Sequence, residues 1–233
     1  MALSGLTCFG TDCVLMLQGE GTDGSTTILD SSTQNTKTMT AEGNCQIDTA
    51  QFKFGSASIL FDGAGDQATA ADSPDWDFGT GDWLIETFVR FAASGSYAAI
   101  FGRGASNDVR WLIRANNFTA VIMNNTRLDI VPGVSLSNDT WYHAALGRQG
   151  TTIGMWIDGV SQATGTSSDD IQGTAGITIG DHAASFPLNG WLDGYRMVKG
   201  SSVYTPGSNF TVPSAAFTDC DAVAGGGGML LAF

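Results

Sequence analysis

Positive charge is scarce in this chain. Its 233 residues hold 10 Lys plus Arg against 23 Asp plus Glu, a net charge of −13. A phosphate backbone is neutralised by a basic stripe, and ten scattered cations cannot supply one. Nucleic acid is therefore excluded as the main partner. Charged residues of both signs make up only 14%, against the roughly 25% usual for soluble domains. Apolar runs are all short, so no segment reaches the ~20 residues of a membrane-spanning helix. The opening Met1-Ala2-Leu3-Ser4-Gly5 has neither a basic region nor an apolar stretch, and no secretory signal is expected. Cysteine is limited to Cys8, Cys13, Cys45 and Cys220. Cys8 and Cys13 have no second pair and no nearby histidine, which excludes a zinc pattern and a dense disulfide scaffold. Free thiols are expected, with one terminal disulfide as the alternative.

What the chain has in plenty is glycine, 31 residues against 5 prolines, a mix that suggests many tight turns. A chain of this length can bury about 70% of its surface, enough for a core without a metal or disulfide. Period-two alternation recurs and helical periodicity does not. Strands are expected at 14–17, 57–61, 83–91, 97–101, 109–114, 118–123, 127–131, 141–148, 152–157, 177–179 and 191–198. Hairpin turns are expected at Asn124-Asn125 and at Gln149-Gly150. About a dozen strands without a helix predict an all-β, two-sheet antiparallel sandwich. The expected organisation is an N-terminal arm (1–11), one jelly-roll domain (12–217) and a Gly-rich C-terminal tail with an apolar end (218–233).

Several segments together carry a resemblance. Phe54-Gly55-Ser56-Ala57-Ser58-Ile59-Leu60-Phe61-Asp62-Gly63 and Gly81-Asp82-Trp83-Leu84-Ile85-Glu86-Thr87-Phe88-Val89 are similar to the opening of laminin-G-like, concanavalin A-type jelly rolls. Trp141-Tyr142-His143 and Trp156-Ile157-Asp158-Gly159-Val160 resemble the central hairpin of that family, and Leu188 to Arg196 its last long strand. The likeness is greatest to the single-domain versions in tailed-phage virion proteins, where stretches like Gly21 to Thr27 and Tyr204 to Phe217 recur. The resemblance implies a jelly roll with a surface role; a fold alone does not fix a function.

Hydrolysis is tested first, because the same sandwich carries glucanases. They need two carboxylates facing one bond, set in that branch as Glu-x-Asp-x-x-Glu. The three glutamates here, Glu20, Glu42 and Glu86, start no such pattern. Glu86 and Arg90 lie four apart on one strand face and are read as a charge pair. No Gly-x-Ser-x-Gly elbow accompanies His143, which is read as a packed, hydrogen-bonded core histidine; His182, in a Gly-Asp-His turn, is expected to be exposed. No enzyme activity is expected. The acidic stretch 72–86 fails as an EF-hand at Gly79 and Thr80. The resemblance instead implies a structural calcium ion held by Asp193 and Asp62, with Gly194 standing where the family usually has glutamate.

Sugar recognition uses aromatic platforms beside hydrogen-bonding side chains. Of six tryptophans, Trp83, Trp141, Trp156 and Trp191 lie in segments resembling family core, which leaves Trp76 and Trp111 as candidate glycan contacts. Leu3, Leu6 and Phe9 at one end and Met229, Leu230, Leu231 and Phe233 at the other are candidate assembly contacts, because exposed apolar ends seek cover. The alternative is that residues 229–233 pair with 14–17 of their own chain. The expectation is a non-enzymatic virion surface protein, a capsid decoration or small appendage, contacting capsid or tail proteins and copies of itself. The alternative is a lectin-like tail-fibre or receptor-binding module for a host surface glycan.

Overall fold

The computed structural model describes residues 12–32, 36–93, 97–104, 110–114, 117–122, 126–130 and 136–218, with only the backbone at 114–130. Among them lie fifteen strands and one short 3-10 turn, Pro74–Trp76. An eight-stranded sheet contains β1 (Cys13–Leu17), β3 (Gln46–Asp48), β4 (Ser58–Asp62), β6 (Trp83–Phe91), β11 (Trp141–Gln149), β12 (Thr152–Ile157), β13 (Val160–Thr166) and β15 (Asn189–Lys199). Its order is β13-β12-β11-β6-β15-β4-β3, with β1 also pairing β15. The seven-stranded sheet holds β2 (Thr40–Glu42), β5 (Gln67–Ala70), β7 (Ala98–Arg103), β8 (Arg110–Arg114), β9 (Asn117–Ile122), β10 (Thr126–Ile130) and β14 (Ile177–Ile179), in the order β10-β9-β8-β7-β14-β5-β2. Every pairing is antiparallel. This is the two-sheet sandwich that the alternation predicts.

Alternation also sets the core. In β6, Trp83, Ile85, Val89 and Phe91 point between the sheets and join Ala144, Leu146, Leu192, Ile59 and Phe61 from neighbouring strands. Leu84, Glu86, Phe88 and Arg90 therefore point to the outer face of the eight-stranded sheet. One irregularity in β15 changes what that face presents. The register with β6 slips between Asp193 and Arg196, where Gly194 adopts a φ of 57°, a left-handed conformation natural to glycine. The extra residue resets the alternation. Tyr195 and Met197 enter the core, and Arg196 turns outward, opposite Glu86.

Residues 200–218 leave β15 and run back over that outer face as a strap. Tyr204 stacks on Phe210 at 3.6 Å and 2°, and both pack on Trp156. Phe217 lies beside Phe88. Hydrogen bonds to main-chain carbonyls fix the path: Phe210 N donates to Gly159 O at 2.8 Å, Trp156 Nε1 to Ser208 O at 2.8 Å and Gln18 Nε2 to Phe217 O at 2.6 Å.

The outer edge of β1 is already occupied. Leu17 bridges Asp30, Ser31 N donates to Met16 O, and Met16 N donates to Asp30 Oδ1. Residues 30–31 thus hold that edge at Met16 and Leu17, and the alternative pairing of residues 229–233 with 14–17 lies outside the described residues. Leu3, Leu6, Phe9, Met229, Leu230, Leu231 and Phe233 lie outside the described residues, as do Cys8 and Cys220. Cys13 and Cys45 are buried, and burial, with Asp66 adding to it, pushes the Cys45 thiol up to about 12.

Candidate functional site

The outer face of the eight-stranded sheet divides into a sealed part and an open part. Under the strap, Glu86 is wholly buried and surrounded by donors. Arg196 donates to Oε1 from Nε (3.0 Å) and from Nη2; Tyr204 donates its hydroxyl to Oε2 at 2.8 Å, and His143 Nε2 meets the same oxygen at 3.0 Å. Burial alone would raise the Glu86 pKa, but Arg196 and His143 outweigh it and hold the carboxyl down, at about 2. An ionised carboxylate only accepts, so the His143 proton is on Nε2. Burial and the neighbouring Glu86 push the Tyr204 hydroxyl far above its ordinary value, so it stays a donor. A carboxylate so buried and so fully engaged is a clasp between sheet and strap, with no opening for a substrate. The expected Glu86–Arg90 pair is corrected. Residues four apart on a strand are separated by about 13 Å, whereas cross-strand partners lie opposite, and Arg196 is opposite Glu86. His143 is the packed, hydrogen-bonded residue the sequence suggests.

Beyond the strap the face opens. Register places Trp141 of β11 opposite Arg90 of β6, and Arg90 opposite Trp191 of β15. Three adjacent strands thus present a row Trp141–Arg90–Trp191, each member half-buried. The Arg90 guanidinium lies 4.8 Å from the Trp191 ring centre and 2.9 Å from Asp139 Oδ1. Trp191 Nε1 donates to Asp48 Oδ2 at 2.5 Å, and Trp141 packs beside the cluster of Phe88, Phe217 and Met16. Asp139 itself is exposed in a turn at a φ of 60°.

The tryptophans singled out from sequence do not face solvent. Trp76 is fully buried in the inter-sheet core, its Nε1 bonded to Ala71 O. Trp111 is 1% exposed in the same core. Both are corrected from glycan contacts to core residues, because alternation in β8 turns Trp111 and Ile113 inward together and the Pro74–Trp76 turn folds Trp76 under the sheet. Trp141 and Trp191, assigned to the core from their segments, are the half-exposed ones. The sequence held the signal: Arg90 lies at an outward position of β6, and its cross-strand neighbours share that face. Finding it required the strand register. His182, expected exposed, is buried at 1%. It lies over Gly102, where a Cβ would come within 2.3 Å of its Nδ1.

The two carboxylates implied as calcium ligands do not converge. Asp62 pairs with Asn189 in register, while Asp193 is four residues further along β15, opposite Phe88. Asp193 Oδ2 accepts the Lys53 and Phe54 amides at 2.6 and 2.9 Å, and burial raises its pKa to about 6. Asp62 is exposed and accepts from Asn44 and Ala64, which hold its carboxyl below the usual range. Among the described residues no three His, Cys, Asp or Glu side chains gather as a metal site. The residues present do not fit a calcium shared by this pair. In the acidic stretch 72–86 basic side chains meet the acids and carbonyls: Lys37 pairs with Asp75 and Lys199 donates to Pro74 O. Arg103 donates to Trp76 O, Gly173 O and Ala175 O and pairs with Asp72 and Asp77. Arg148 donates to Gly79 O, Gly81 O and Asp169 O.

Comparison with known proteins bears on this architecture. The family model of the concanavalin A-like lectin/glucanases superfamily matches residues 62–202, more than half the chain. The chain belongs to this superfamily. Domain 4 of a GH43 extracellular arabinanase from Geobacillus stearothermophilus, solved in complex with arabinotriose, is similar at a TM-score of 0.61 and 14% identity, covering 81% of this chain and 93% of that one. The binding domain of Paraclostridial Mosquitocidal Protein 1 is similar at a TM-score of 0.64 and 14% identity, covering 82% of this chain. The botulinum neurotoxin serotype D binding domain is similar at 0.61 and 14%, also over 82%. The chain spans about half the length of these two toxin binding domains. At such identities the likeness is one of fold. Comparison with curated proteins finds no match. As a concanavalin A-like protein, the chain has its strap and its open row on one face of one sheet.

Proposed function

We propose that the chain is a non-enzymatic carbohydrate-binding domain, and that it binds at the open end of the eight-stranded sheet. The observation that carries this reading is the row Trp141–Arg90–Trp191, flanked by Asp48 and Asp139. Sugar rings have apolar faces and hydroxylated edges. Indole surface suits the first, and a guanidinium between two carboxylates offers donors and acceptors for the second. The arabinanase domain solved with arabinotriose supports the reading as an analogy of fold. Non-enzymatic action is supported by Glu86, which is sealed beneath the strap and held ionised by its donors. Titrating arabino- and cello-oligosaccharides into the protein, with indole fluorescence as readout, tests the proposal. Binding that Trp191→Ala weakens at an unchanged melting temperature supports it. Turnover of any glycan abolished by Glu86→Gln overturns its non-enzymatic part.

The address we propose is a virion surface, with capsid or tail proteins and further copies of the chain as neighbours. Its support is the resemblance at Gly21 to Thr27 and Tyr204 to Phe217, the second of which is the segment that forms the strap. Copy number in purified particles tests this. Hundreds of copies fit capsid decoration, a few a tail appendage, and none overturns it.

A further inference from the structure

We propose that the row is a lane for an extended, uncharged glycan chain lying across the strands, and that a single sugar cannot fill it. The inference rests on the carbohydrate reading above and names the ligand that the row would select. Its first ground is spacing. Trp141 and Trp191 stand on β11 and β15 with only β6 between them. Neighbouring strands are about 4.8 Å apart, so the two indoles are anchored about 10 Å apart on one face. That is more than the width of one pyranose or furanose ring. A monosaccharide touches one tryptophan; a chain running perpendicular to the strands touches both, with Arg90 under its middle unit.

The second ground is rigidity. Trp191 is held by its Nε1 bond to Asp48 and by the stacked Arg90 guanidinium, and Arg90 by Asp139. Side chains already fixed in the free protein lose little freedom on binding. The third ground is charge. Asp48 and Asp139 flank the lane, Asp139 already balances Arg90, and the chain carries a net charge of −13. A polyanionic glycan meets repulsion there, whereas neutral hydroxyls donate to the two carboxylates. The sealed end of the same face sets the direction: the strap covers the next rows along β6, at Phe88 and Glu86, so a ligand running parallel to the strands meets Phe217.

The test uses the full chain and two probe series, cello- and arabino-oligosaccharides from monosaccharide to hexasaccharide, with oligogalacturonides as the acidic counterpart. Affinity is expected to rise at least about tenfold between mono- and trisaccharide, an aromatic contact's worth, and then to level off. Trp141→Ala and Trp191→Ala are each expected to lower trisaccharide affinity by about tenfold or more. Trp141→Phe and Trp191→Phe keep an aromatic face in place and should lose less. They also separate a binding defect from misfolding. Oligogalacturonides should bind more weakly than neutral chains of equal length. Monosaccharide binding as tight as trisaccharide, a loss confined to one tryptophan, or preference for the acidic series overturns the lane while leaving carbohydrate binding standing. Binding of no saccharide in either series overturns both.

Discussion

Glu86 and Asp193 are both buried carboxylates on one face, and their effects on stability run in opposite directions with pH. Glu86 has its pKa lowered from 4.5 to about 2. Its contribution is present above 4.5 and lost as pH falls toward 2. Asp193 has its pKa raised from 3.8 to about 6 by burial. The folded state then binds more protons than the unfolded between those values, so stability falls as pH rises through that window. Melting temperature against pH should therefore rise from pH 2 to about 4.5 and decline toward 6. Glu86→Gln should remove the rise and Asp193→Asn the decline; a wild-type profile flat across both windows would contradict this account. Glu86→Ala leaves the Arg196 charge buried without its partner and should cost about 3–5 kcal/mol in denaturant unfolding. Trp76→Ala should cost a similar ~3–5 kcal/mol as a core truncation. Its saccharide affinity should be unchanged wherever the variant is folded.

At the scale of elements, the strap depends on Gly159. This residue has a φ of 73°, accepts the Phe210 amide, and would place any Cβ within 2.2 Å of Phe210 O. Gly159→Ala should lift the strap while leaving the strands paired. The expected signature is faster hydrogen exchange and proteolysis within 204–217 and a changed Trp156 emission; unaltered protection there would show that Gly159 is not the anchor. Strand legibility in the sequence followed length and side-chain type. The long strands β6, β11 and β15 and the short apolar β1, β4 and β14 are legible within a residue or two. Four strands escape it: Thr40-Ala41-Glu42, Gln46-Ile47-Asp48, Gln67-Ala68-Thr69-Ala70 and Val160-Ser161-Gln162-Ala163-Thr164-Gly165-Thr166. Three are too short to display alternation, and the fourth is a polar edge strand. The bulge at Gly194 is likewise invisible to alternation, yet it decides which face receives Arg196.

The whole molecule is a sandwich whose fold class and superfamily were legible from strand count and from a few motifs in order. Its candidate site was not, because a site on a sheet face is assembled by register among distant residues: Arg90, Asp139, Trp141 and Trp191 converge, while Asp62 and Asp193 separate. With arginines joining the acidic stretch to residues 169–175, chelation should leave the melting temperature unchanged. A drop on chelation that Asp193→Ala abolishes would contradict that geometry. The central claim is that the Trp141–Arg90–Trp191 row meets the ligand. The most direct measurement follows the indole N–H resonances of the six tryptophans by NMR while cellotriose or arabinotriose is added. The account predicts saturable shifts at Trp141 and Trp191, with Trp76, Trp83, Trp111 and Trp156 unmoved. Shifts centred on Trp76 or Trp111, or none at any indole, would contradict it.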